Sequence, residues 1–137
     1  MKTKLMLCVC VSMLGFGASF EIASKEYCSI KTLKGTYTYS SQGYYAGEPY
    51  AESGMESYNG AGNVVNNYTD SLGRVSAGDT ATYVIGEDCH GTVTYNSGSV
   101  YKIYVSPNGD SMTYILTSGD GVIAGTSRRV SSKLILK

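Results

Sequence analysis

The sequence predicts an all-β protein: a single antiparallel up-and-down β-barrel stapled by one disulfide. Three observations predict it. Apolar and polar residues alternate with period two along most of the chain. Glycine- and asparagine-rich turns interrupt that alternation about every ten residues. Two cysteines, Cys28 and Cys89, remain once an N-terminal targeting segment is set aside.

Lys2 and Lys4 form a basic head, and Leu5 to Phe16 is almost wholly apolar. Gly17, Ala18 and Ser19 supply the small side chains that a signal peptidase accepts. The apolar run falls short of the about 20 residues that a transmembrane helix needs. Residues 1–19 are therefore read as a secretory signal peptide, with an uncleaved anchor as the alternative. Residues 20–137 form a single β-barrel domain. The expected localisation is exported, periplasmic or secreted, with no membrane span in the mature chain. Residues 21–29 lead in to the fold and become ordered where Cys28 is tied down.

The strands follow in order. In 35–42, Tyr37 and Tyr39 share one face, and the threonines Thr36 and Thr38 take the other. Further strands are expected over 51–58, 63–69, 72–76, 80–87, 91–97, 100–106, 111–118 and 122–130. Ala81, Tyr83 and Ile85 share a phase, as do Val93 and Tyr95, then Tyr101, Ile103 and Val105, then Met112, Tyr114 and Leu116. Asn59-Gly60, Ser97-Gly98, Asn108-Gly109 and Gly119-Asp120-Gly121 mark hairpin turns, since glycine and asparagine accept positive φ. The glycine-rich stretch 43–50 reads as a loop carrying Tyr44, Tyr45 and Tyr50. The tail from Lys133 to Lys137 alternates, which suits either a last strand or a frayed end. Short connections favour antiparallel neighbours. Closure also removes exposed edges, so a barrel is favoured over a sandwich.

Composition narrows the function. Without Lys2 and Lys4 the chain carries nine basic against eleven acidic residues. That is no footprint of a nucleic-acid binder. In an exported domain Cys28 and Cys89 have one intramolecular pairing, with two free thiols as the alternative. The chain has thirteen tyrosines, two phenylalanines and no tryptophan, so tyrosine supplies the aromatic bulk. Its hydroxyl wants water or a partner, which suits a barrel with a polar-lined mouth.

Three segments carry a family resemblance. The first is Cys28-Ser29-Ile30 running into Leu33-Lys34-Gly35-Thr36-Tyr37. The second is Glu52-Ser53-Gly54-Met55 before Tyr58-Asn59-Gly60-Ala61-Gly62-Asn63. The third is Ala81-Thr82-Tyr83-Val84-Ile85 before Asp88-Cys89-His90-Gly91-Thr92-Val93. Together they resemble small exported bacterial proteins of uncharacterised function, similar to the allene oxide cyclase barrel and more loosely to calycin-type barrels. The resemblance implies a barrel of about eight strands with a hydrophobic interior. It implies no cyclase activity, because no catalytic residue of the plant cyclases maps onto this sequence by motif.

No catalytic, metal-binding or cofactor-binding set is predicted. His90 is the only histidine, which excludes a multi-histidine metal site, and it reads as a turn residue. Asn108-Gly109-Asp110 and Gly119-Asp120-Gly121 do not continue into calcium loops. Asn67-Tyr68-Thr69 matches the N-glycosylation triplet, but the bacterial resemblance argues against its use. Glu52 and Glu56 fall on one face, roughly 13 Å apart along a strand. They read as two solvated charges. Arg128 and Arg129 must point to opposite faces. An inward guanidinium would pair with an interior acid such as Glu52 or Glu56. The candidate ligand-lining residues are Tyr37, Tyr39, Tyr83, Tyr95, Tyr101, Tyr114 and Arg128.

The expected function is non-enzymatic binding, either of a small apolar or amphipathic molecule inside the barrel or of a protein or glycan at the tyrosine-rich loop. The alternatives are an isomerase or cyclase acting on an apolar substrate, and a structural or host-interaction factor with a solid core. An internal pocket separates the first two from the third. A perturbed carboxylate within it favours the enzyme.

Overall fold

The computed structural model describes residues 27–137. The expected signal peptide and its cleavage point lie outside them. Eight strands form a closed barrel in chain order: β1 (Lys34–Tyr45), β2 (Glu48–Asn59), β3 (Asn63–Asp70), β4 (Val75–Ile85), β5 (His90–Tyr95), β6 (Val100–Val105), β7 (Ser111–Leu116) and β8 (Gly121–Ser131). Every neighbouring pair is antiparallel, and β8 returns to β1 with Tyr39 opposite Ser127.

Three expectations about the strands change. The stretch 43–50 is no loop. It is the end of a long hairpin, with Tyr45 opposite Glu48. Ala46 and Gly47 make the turn at φ 51° and 83°, the positive pair that a two-residue hairpin of type I′ uses. The expected strands 72–76 and 80–87 merge into β4, whose ladder with β3 is interrupted between Asn66 and Tyr68. The tail is neither a strand nor frayed. The Thr36 hydroxyl donates to the Lys133 carbonyl and accepts from the Ile135 N–H, and the Ser57 hydroxyl accepts from the Leu136 N–H. That strap explains why Thr36 and Ser57, on the outward phase, are nonetheless buried.

One end of the barrel is plugged. A 3₁₀ turn over Ile30–Thr32 is capped reciprocally by Ser29 and Thr32. The disulfide joins Cys28 to Cys89 in the β4–β5 turn and so ties this segment across the opening. Leu33 follows, fully buried, and the Tyr83 hydroxyl contacts the carbonyl oxygens of Ile30 and Leu33 at 3.0 and 2.9 Å. Beneath the plug Tyr37, Tyr58 and Tyr83 stack edge to face, with centroids 5.4 and 5.1 Å apart. That geometry adds a modest term to the area they bury.

A tyrosine-lined cavity with two interior glutamates

Above this solid half the barrel is hollow. A cavity of about 250 Å³ opens toward the end where β1 and β2 turn. Its wall is a second chain of tyrosines. Tyr39, Tyr114, Tyr101 and Tyr95 follow one another edge to face at 6.1, 5.8 and 5.8 Å. Local sequence makes room for them. Gly54 lies opposite Tyr39, and a Cβ there would sit 2.8 Å from the ring. Gly125 lies opposite Tyr114, and its Cβ would sit 2.5 Å from the ring. Each ring covers a cross-strand glycine, a pairing that sheets use to seat large aromatics.

β2 turns its even-numbered residues inward: Tyr50, Glu52, Gly54, Glu56 and Tyr58. Both glutamates therefore line the cavity. Glu56 is 7% exposed. Its carboxylate accepts from the Tyr95 hydroxyl at 2.7 Å and the Tyr58 hydroxyl at 3.1 Å. Glu52 accepts from the Tyr39 and Tyr50 hydroxyls. Asn66 on β3 joins the two sites, its Nδ2 donating to Tyr39 at 3.2 Å and to Tyr95 at 3.4 Å. The path Glu52–Tyr39–Asn66–Tyr95–Glu56 is a continuous hydrogen-bonded chain. Asn66 is 4% exposed, and its Oδ1 has no partner. An unpaired buried acceptor is uncommon in a folded protein.

Burial pushes the Glu56 carboxyl up to about 7, with Glu52 adding to the rise and the Tyr95 and Tyr58 hydroxyls opposing it. Desolvation, reinforced by the carboxylates, holds the Tyr39, Tyr50, Tyr101 and Tyr114 hydroxyls protonated far above the usual phenol range. At the mouth Arg74 bonds Asp70 through Nε at 2.6 Å. Its guanidinium lies 5.6 Å from the Tyr45 ring centroid and 6.0 Å from that of Tyr50. Desolvation raises the Asp70 carboxyl, but the N–H groups of Arg74 and Leu72 and the Arg74 guanidinium outweigh it, so Asp70 titrates below its ordinary value.

The candidate residues separate. Tyr39, Tyr95, Tyr101 and Tyr114 line the cavity. Tyr37 and Tyr83 belong to the solid core. Arg128 faces outward and is exposed, because β8 turns its odd-numbered residues inward. The inward member is Arg129. It lies at the plugged end and pairs with Asp110 and with the Asn108 carbonyl, not with Glu52 or Glu56. Of the loop tyrosines, Tyr44 is 57% exposed while Tyr50 is buried. His90 begins β5 beside Asp88, with its ring against Tyr104.

Sequence reasoning missed Glu52, Glu56, Asn66 and Arg74 as site residues. The signal for the glutamates was present, since they share the phase of Tyr50 and Tyr58. Treating them as solvated charges overrode it. Their interior place is tolerated because tyrosine hydroxyls bond both carboxylates.

Comparison with family models and with curated proteins finds no match. Two solved structures are similar. One is a redesigned β-barrel, mFAP1, bound to DFHBI: 21% identity over 73% of this chain and 97% of that one, with a TM-score of 0.48. The other is a de novo designed fluorescence-activating β-barrel: 16% identity over 73% of this chain and 95% of that one, with a TM-score of 0.50. At these identities the likeness concerns the fold alone. The second supports a barrel. Neither shows an allene oxide cyclase or calycin relationship.

Proposed function

We propose that the protein binds a small amphipathic molecule inside its barrel, and that it does so after export. One observation carries the binding reading: a cavity plugged at one end and open at the other, walled by tyrosine rings and holding hydrogen-bonded polar side chains. Natural ligand sites combine concavity, aromatic lining and a few convergent polar groups. Export rests on the basic head and apolar run of the N-terminus and on the disulfide, which suits an oxidising compartment.

Native mass spectrometry of the protein purified from the cells that make it tests binding. The expected spectrum holds a bound small mass that is absent from Val93→Phe and Leu116→Phe, two fillings of the cavity wall. Circular dichroism checks that both variants keep their sheet. A spectrum showing only the bare protein counts against the reading, as does a bound mass that both filled variants retain.

Glu56 favours a second reading, proton transfer on a bound apolar substrate. A general base works best with a pKa near the working pH, and Glu56 sits at about 7 inside the cavity. The Tyr58 and Tyr95 hydroxyls bond its carboxylate and hold it in place inside the cavity. The expected sign is solvent deuterium entering the carbon next to the carbonyl of a bound ketone, slowed at least about 100-fold by Glu56→Gln. Equal exchange rates in the two proteins would remove it.

A further inference from the structure

Donors and acceptors in the cavity do not balance. Asn66 gives its amide hydrogens to the Tyr39 and Tyr95 hydroxyls. Those hydroxyls donate onward to Glu52 and Glu56, and Tyr50 and Tyr58 donate to the same two carboxylates. Around the glutamates, therefore, the donor hydrogens of these side chains are already committed. What remains is acceptor capacity: spare lone pairs on the carboxylate oxygens of Glu52 and Glu56.

Charge leans the same way. Glu52, Glu56 and Asp79 line the cavity, and among the described lining residues the one basic side chain is Arg74. Asp70 holds its guanidinium, which lies over Tyr45 and Tyr50. Deeper in, the walls are tyrosine rings, and the face of such a ring attracts positive charge.

We propose that the ligand is a small organic cation, an amine on an apolar body, with its nitrogen toward Glu52 and Glu56 and its body against Tyr95, Tyr101 and Tyr114. The inference rests on the ligand-binding reading above and adds the chemical class. A carboxylate or phosphate ligand would meet acceptors and like charge instead.

Calorimetric titration with three matched probes tests it: 2-phenylethylamine, 2-phenylethanol and 3-phenylpropionate. The amine is expected to bind at least about tenfold more tightly than the alcohol, with the carboxylate weakest. Glu52→Gln and Glu56→Gln should each narrow the gap between amine and alcohol. If the alcohol or the carboxylate binds as tightly as the amine, the cation is wrong and the ligand cavity stands. If none of the three binds to wild type, the cation is wrong, and the native mass spectrum decides separately whether the ligand cavity stands.

Discussion

Raising the pH from about 5 to about 8 lowers the thermal unfolding midpoint, and Glu56→Gln removes most of that fall. The sign follows from burial. Glu56 titrates at about 7 in the folded chain, against an ordinary 4.5. Between those values the folded state holds a proton that the unfolded chain has released. Its stabilisation is complete below the unfolded value and is lost as pH rises through the folded one. The gap converts to about 3 kcal/mol as an upper figure. For a domain of this size that is on the order of 10 °C in midpoint. Asp70 acts in the opposite sense, but only at pH values below this window, since its carboxyl is held below 3.8. The raised tyrosines act above it. Differential scanning calorimetry across the range checks the result. A midpoint that is flat in wild type, or that falls equally in Glu56→Gln, contradicts it.

The second large effect is at the plug. Cys28→Ser combined with Cys89→Ser should cost about 4 kcal/mol in urea unfolding. The bridge spans 61 residues of sequence, so its absence returns the entropy of a long loop to the unfolded chain. It also frees the segment that covers Leu33 and the Tyr83 hydroxyl. Hydrogen exchange should therefore rise first in Leu33 and in β4 near Tyr83, while the β1–β2 hairpin keeps its protection. A loss below about 1 kcal/mol, or uniform exchange across the barrel, would show that the plug holds without its staple.

Much of this fold is legible in the sequence. Period-two alternation placed Tyr37, Tyr39, Tyr83 and Tyr95 on one phase, and all four point inward. Cys28 and Cys89 pair as expected. The hairpin at Ala46 and Gly47 carries little sequence signal, because alanine seldom takes positive φ. The site was harder to read. Phase says which way a side chain points, not how deep along the axis it lies. Tyr37 and Tyr39 look equivalent in sequence, yet one packs under the plug and the other borders the cavity.

The order of residues by itself determined an antiparallel all-β chain and its two-sided strands, because alternation and turn chemistry are local properties. Closure into eight strands, the boundary between solid and hollow halves, and the meeting of Glu52, Asn66 and Glu56 were decided in three dimensions. The reason is physical. A carboxylate is solvated by default, and it stays inside only where hydroxyls from other strands arrive to bond it. Nothing in the sequence around a glutamate reports which distant tyrosine will reach it.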